Sequence, residues 1–380
     1  MRGSAGPEAK VDSAERNAWT QPTTEQVADC VYRIPLPMPG DHLKAVNVYA
    51  LEGADGVTLI DGGWAQPAAR AALDAGLAAI GARPSVIKQI LVTHAHRDHY
   101  TLAVVLRREF GTPIALGAGE RDSIAALTSD VPTVSYGSQI RLLRAAGADD
   151  LARFAEEQAA YVDPKRDGWE VPDQWLDAGV VPAGGSELTV VPTPGHTSGH
   201  IVFAVLPRGL LFSGDHVLPH ITPSVGVETV PTPAPIASFL ESLALVRTLP
   251  DLRLLPAHGP VTSSSHARVD ELVAHHDVRL AEIRRAVIAG GEQPALSIAM
   301  RLGWTRHRRE FAELDLFNQI LAIGETIAHL TVLGRSGLVI QRSDGDVVLY
   351  STAVPGCNKR STERRGWPVP EPGGVFHGRL

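Results

Sequence analysis

Four residues able to bind a metal, His94, His96, Asp98 and His99, stand within six positions of one another in the run Thr93-His94-Ala95-His96-Arg97-Asp98-His99. Imidazole nitrogens and carboxylate oxygens are donors that borderline divalent cations such as zinc accept. The apolar run directly before them, residues 87–92 (IKQILV), has the length and composition of a short buried strand. His94 and His96 are two apart, so an extended backbone aims both the same way. Asp98 and His99 follow where the chain turns into a helix, within reach of a second cation. An isolated histidine in a polar loop would carry no such expectation, whereas this spacing after a strand does.

Four more strand-like runs end in polar residues set among prolines and glycines. Val57-Thr58-Leu59-Ile60 leads into Asp61, residues 188–191 into His196, residues 209–212 into Asp215, and residues 252–255 into His258. Proline and glycine suit tight turns where backbone must approach a ligand closely. Loops at one edge of a layered fold would bring these side chains together. Three further histidines lie near them. His200 and His216 are expected to support the ligands from outside, and His220 to face substrate and donate a proton to its leaving group. A satisfied structural histidine is the competing reading for each of the three.

In this order, Asp61, HxHxDH, His196, Asp215 and His258, the sequence resembles the metallo-β-lactamase superfamily over residues 25–270. The resemblance implies an α+β fold, a four-layer αββα sandwich with a two-metal site at one edge of its paired sheets. It implies that His94, His96 and His196 hold one ion and Asp98, His99 and His258 the other. Asp215 would bridge them, and Asp61 would orient ligands from behind. Two divalent ions about 3.5–4 Å apart lower the pKa of a bridging water and polarise the substrate oxygen, so hydrolysis is the expected chemistry. Asp98 and Asp215 would serve catalysis as well as metal binding. Zinc is the expected metal, and iron or manganese would accept the same donors.

Asp215 stands where the commonest true β-lactamases carry cysteine, and His99 is not their pattern either, which disfavours antibiotic hydrolysis. The flavodiiron proteins resemble HxExDH instead. What is left resembles the glyoxalase II, lactonase and thioesterase side of the superfamily, with its nucleases as the alternative.

With 380 residues, 44% hydrophobic and 20% charged, the chain can bury a large core in more than one domain. Its net charge of −7 gives no general attraction to polyanions. Residues 1–24 lack the apolar segment of a signal peptide, no apolar run approaches a membrane span, and two cysteines argue against a disulfide framework. A cytoplasmic protein without membrane contact is expected.

Residues 1–24 read as a mobile leader and 25–270 as the catalytic domain. The proline-rich stretch 35–42 is too rich in proline for a central strand, and is expected to overhang the metals with Met38 towards substrate. Within the catalytic domain, residues 119–185 exceed a plain connection. Ile140 and Leu143 share one helical face, and Leu151, Phe154, Ala155 and Ala159 another. We expect a helical lid that selects a small organic acyl group, with a homodimer surface as the competing reading.

Residues 271–350 carry three helical patterns and a hairpin around Ser343-Asp344-Gly345, an order that looks like a winged helix, and 351–380 form a loose tail. Arg301, Arg306, Arg308 and Arg309 are followed at once by Glu310, Glu313 and Asp315. That mixture favours structural packing over nucleic-acid binding, which needs a net basic face. The expected function is hydrolysis of an ester, thioester or lactone, and the alternative is cleavage of single-stranded nucleic acid with the C-terminal part as clamp.

Overall fold

The computed structural model describes residues 17–129, 132–161, 168–305 and 307–353. Its first sheet takes seven strands in chain order: β1 (Glu25–Ala28), β2 (Val31–Pro37), β3 (Ala45–Gly53), β4 (Gly56–Ile60), β5 (Ile87–Val92), β6 (Ile114–Gly117) and β7 (Gln174–Leu176). The early strands form an antiparallel meander, and β4 to β7 run parallel. The second sheet comprises β8 (Gly179–Ala183), β9 (Ser186–Pro192), β10 (Ile201–Val205), β11 (Leu210–Gly214) and β12 (Arg253–Pro256), ordered β12-β11-β10-β9-β8.

Alternate residues of each strand point to opposite faces, and both faces of both sheets are apolar. Between the sheets, Tyr49, Leu51, Ile60 and Leu91 meet Leu188, Val190, Phe203 and Phe212. The Tyr49 and Phe212 rings meet edge to face at 5.2 Å. The outer face of the first sheet is covered by α1 (Pro67–Ala79) and α2 (Arg97–Phe110), whose Leu73, Leu77, Leu102 and Leu106 pack on Val48, Leu59 and Ile90. The chain continues through α3 (Arg121–Leu127), α4 (Pro132–Ala145), α5 (Asp149–Tyr161), α6 (Pro235–Thr248), α7 (Ser265–Gly290), α8 (Ala295–Ala299) and α9 (Leu316–Arg335). Phe239 and Leu243 of α6, with Val269 and Leu272 of α7, cover the outer face of the second sheet at Val202, Leu211 and Leu254. The four-layer αββα sandwich is therefore as expected.

Several expectations are corrected. Pro35 and Pro37 lie inside β2, paired with Asn47 and Ala45 of β3. Proline is tolerated there because β1 pairs with β2 only as far as Arg33, so the strand is locally an edge and the missing N–H groups break no ladder. Met38 is buried in the core beneath the first sheet instead of facing substrate. The leader assigned to 1–24 is too long: residues 1–16 lie outside the described residues, but the Trp19 carbonyl accepts from Arg33 Nη1 at 2.8 Å and Thr24 Oγ1 donates to the Gly76 carbonyl. The tail placed at 351–380 likewise starts too early, since Ser351 and Thr352 close β15 (Val347–Thr352) against β14 (Val339–Asp344), and residues 354–380 lie outside the described residues.

The domain boundary placed at 270 falls inside α7, a single helix that begins on the second sheet and ends in another core. In that second core Ile283 and Val287 of α7 meet Ile298 of α8, Ile320 and Ile323 of α9, and Tyr350 of β15. The elements beyond the second sheet run helix, short strand β13 (Gln293–Pro294), helix, helix and hairpin, with β13 and β14 both paired to β15. The same core also takes Leu143 of α4 with Leu151, Ala152 and Ala155 of α5. The apolar faces read for the insertion are thus real, but they bury against the C-terminal helices instead of closing over the metal ligands as a lid. Helix α9 is long and apolar enough to cross a membrane, contrary to the reading that no run approaches that length, yet its Ile320, Ile323, Leu330 and Leu333 are buried in this core.

Candidate metal centre

Every expected ligand emerges from the same edge of the two sheets, because each follows the C-terminal end of a strand. Asp61 follows β4, the HxHxDH run follows β5, His196 follows β9, Asp215 follows β11 and His258 follows β12. β4 and β5 are parallel neighbours, as are β11 and β12, so their ends are level. Gly214 lets Asp215 approach: at φ +50° a Cβ would stand 2.7 Å from both Thr93 Oγ1 and His200 Nε2.

Two clusters result. His94, His96, His196 and Asp215 form the first, and Asp98, His99 and His258 the second, each with ligand atoms within 4.8 Å of one another. Nε2 of His94 lies 2.9 Å from Nδ1 of His96, which lies 3.1 Å from Nε2 of His196. Asp215 faces both clusters, with Oδ2 3.5 Å from His196 Nε2 and Oδ1 3.6 and 3.5 Å from Nε2 of His99 and His258. Asp98 Oδ2 completes the second cluster, 3.2 Å from His258 Nε2 and 3.5 Å from His99 Nε2.

The outward nitrogens of His94, His99, His196 and His258 are held by partners that fix the rings. Asp61 Oδ1 accepts from the Thr93 amide at 2.8 Å, and Oδ2 accepts from His99 Nδ1 at 2.9 Å. The Thr93 hydroxyl has one proton, which goes to Asp61, so it accepts from His94 Nδ1 at 3.0 Å. Asp61 thereby aligns one imidazole in each cluster. It does so from a left-handed backbone, φ 64°, which aspartate tolerates better than most residues. His196 Nδ1 donates to the Ser224 carbonyl at 2.7 Å, and His258 Nδ1 to the Ala45 carbonyl at 2.8 Å.

These atoms fit a divalent cation. Nε2 of His99, Nε2 of His258 and Oδ1 of Asp215 are buried and make no hydrogen bond, a costly arrangement unless a further group meets them. Burial chiefly, with mutual repulsion, keeps the imidazoles of the first cluster neutral: His94 is held well below its ordinary value and His96 at about 3. In the second cluster burial again acts to lower His99, but the carboxylates of Asp98, Asp61 and Asp215 outweigh it and raise the ring to about 10. His258 is raised in the same way by Asp215 and Asp98. The sites thus offer neutral nitrogen ligands on one side and a carboxylate-rich pocket on the other, the donor set of zinc, iron or manganese.

The three supporting histidines fare differently. His200 is buried and accepts from the Asp215 amide at 3.1 Å while its Nδ1 meets Thr193 Oγ1, so it seats the bridging aspartate. His216 is buried against His200 and Phe239 and stands outside both clusters. His220 is exposed on the loop after Asp215, outside both clusters. Sequence reasoning missed Thr93, Glu120 and Glu228, of which the last two brace the loop carrying His196. Only Glu120 left a signal, as an acid just beyond a strand at the ligand edge.

Fold and site together define a metal-dependent hydrolase. The model of the metallo-beta-lactamase superfamily matches residues 43–258, and the chain belongs to that family. It is 25% identical over 350 residues to the probable metallo-hydrolase YqjP of Bacillus subtilis, covering 87% of this chain and 99% of the relative. It is 25% identical over 182 residues to the hydroxyacylglutathione hydrolase GloC of Haemophilus influenzae, covering 47% and 71%. The crystal structure of a metallo-beta-lactamase family protein from Thermus thermophilus superposes with a TM-score of 0.72 at 28% identity, covering 86% of this chain and all of that one.

Proposed function

We propose that the chain hydrolyses a small ester, thioester or lactone at a binuclear centre, in the cytoplasm. The observation that carries this reading is the Asp215 carboxylate, which turns one oxygen to each cluster, as a ligand shared by two ions must. Two divalent cations bound there would bring a water towards neutral pKa and polarise the carbonyl oxygen. The chain's own part is to hold the donors. Asp61 and Thr93 fix the imidazoles of His94 and His99, and His200 fixes Asp215 through its amide. The relation to a hydroxyacylglutathione hydrolase supports a thioester within this class.

The nuclease alternative loses support at the C-terminal elements, where basic side chains are paired with acids. Arg308 binds Glu282, Arg342 binds Glu292, and buried Arg279 binds Glu282 and Glu325. Such pairing leaves less positive charge for phosphates. Arg306 lies outside the described residues.

A panel of thioesters, lactones, β-lactams and single-stranded RNA, with metal analysis and a chelator control, tests the proposal. Chelator-sensitive hydrolysis of a thioester or lactone is expected, and cleavage of RNA alone overturns the ranking. His220 keeps its proposed part as proton donor if His220→Ala lowers turnover at unchanged metal content. Unchanged turnover removes it.

A further inference from the structure

Of the five metal-facing imidazoles, His96 is the exception. The other four have the nitrogen that points away from the site hydrogen-bonded, whereas His96 Nε2 has no such partner among the described residues. Something else must set its place against His94 and His196, whose nitrogens lie on either side of its own. The buried carboxylate of Glu120 is in position to do so. Its Oε1 accepts from the amide of Ala95, the residue between His94 and His96, at 3.3 Å, and from the hydroxyl of Thr197, the residue after His196. One oxygen therefore ties together the two loops that carry the three histidines of the first cluster.

The approach of those loops is built in. Gly199 closes against Glu120 so tightly that a Cβ there would stand 2.1 Å from the Glu120 amide nitrogen. From the other side Glu228 Oε2 accepts from the Ser198 amide at 2.8 Å, and Ser138 of α4 donates to the Thr229 carbonyl at 2.7 Å, so the insertion holds the brace.

We propose that Glu120 is the positioning residue of the first cluster, setting His96 and His196 at the spacing one cation requires, with no comparable hold on the second cluster. This rests on the reading that the clusters bind divalent cations. Supporting partners of this kind change metal affinity about 10–100-fold when lost.

The test is Zn2+ affinity, by competition with a chromophoric chelator, in two backgrounds: His258→Ala, which keeps the first cluster, and His96→Ala, which keeps the second. Thr197→Val removes the hydroxyl that donates to Glu120 at nearly constant shape, and is expected to weaken binding about tenfold in the first background and leave the second unchanged. Glu120→Ala should do the same more strongly, and Glu120→Gln, which keeps an acceptor oxygen, should restore affinity to within about threefold of the parent. Should Glu120→Ala fail to fold, Thr197→Val decides alone. Unchanged affinity in the His258→Ala background, or equal losses in both, overturns the role of Glu120. Absence of Zn2+ binding by the unsubstituted protein overturns instead the metal reading itself.

Discussion

Asp61 is the residue on which the most geometry converges, since it reaches His99 directly and His94 through Thr93. Asp61→Asn keeps a side chain that accepts a left-handed backbone, but it puts an amide where a carboxylate now receives the His99 proton. Metal affinity is expected to fall about 10–100-fold with little loss of thermal stability. Equilibrium dialysis alongside a melting curve checks this, and a melting point that collapses together with metal content would mean that Asp61 only supports the fold. At this scale the ligands were legible in the sequence because HxHxDH has a residue-type signature and each remaining ligand sits in a proline- and glycine-rich turn. Their partners were not. The carbonyls that orient His196 and His258 belong to Ser224 and Ala45, which are 28 and 213 positions away, and a backbone carbonyl carries no signature at all. Glu120 looked like any other acid at a strand end until folding brought Thr197 to it.

The elements were largely legible, and their partners less so. Short apolar runs ending in turn residues gave the strands, and helical spacing gave both long insertion helices, α4 and α5, with the right buried faces. Which surface those faces meet is a long-range fact, so a stripe that reads as a lid from local pattern proved to be part of a core shared with α7 to α9. The loop between β11 and α6 joins that core to the metal ligands, and its Glu228 makes the connection sensitive to pH. Burial chiefly raises this carboxyl from its ordinary 4.5 to about 7. Between those values the folded chain keeps a proton that the unfolded chain has released, so Glu228 favours folding at low pH and this advantage is lost as pH rises through about 7. Glu228→Gln cannot ionise. Its melting temperature, relative to the unsubstituted protein, is expected to improve between pH 5 and pH 8, and a difference constant across that range would refute the assignment.

At the scale of the whole molecule, the sequence suggested a catalytic domain ending at 270 with a small domain after it. The helical pattern read from residue 271 is real, but α7 runs through that boundary without a break from Ser265 to Gly290. A chain ending at residue 270 would leave Val202, Leu211 and Phe239 without Leu272 and without the α9 residues Ala328 and Val332. It would also expose the insertion faces at Leu143, Leu151 and Ala155. Apolar surface of that extent drives association, so the truncated chain is expected to be aggregated by size-exclusion chromatography and light scattering. A monodisperse, zinc-binding fragment would show that the two parts fold separately. The unbroken helix also constrains how such chains can be recombined. A chimera that borrows the C-terminal elements of a relative has to take the helix whole, with its junction in the turn before Ser264 or after Gly291, because a splice within it would join two differently phased apolar stripes on one rod.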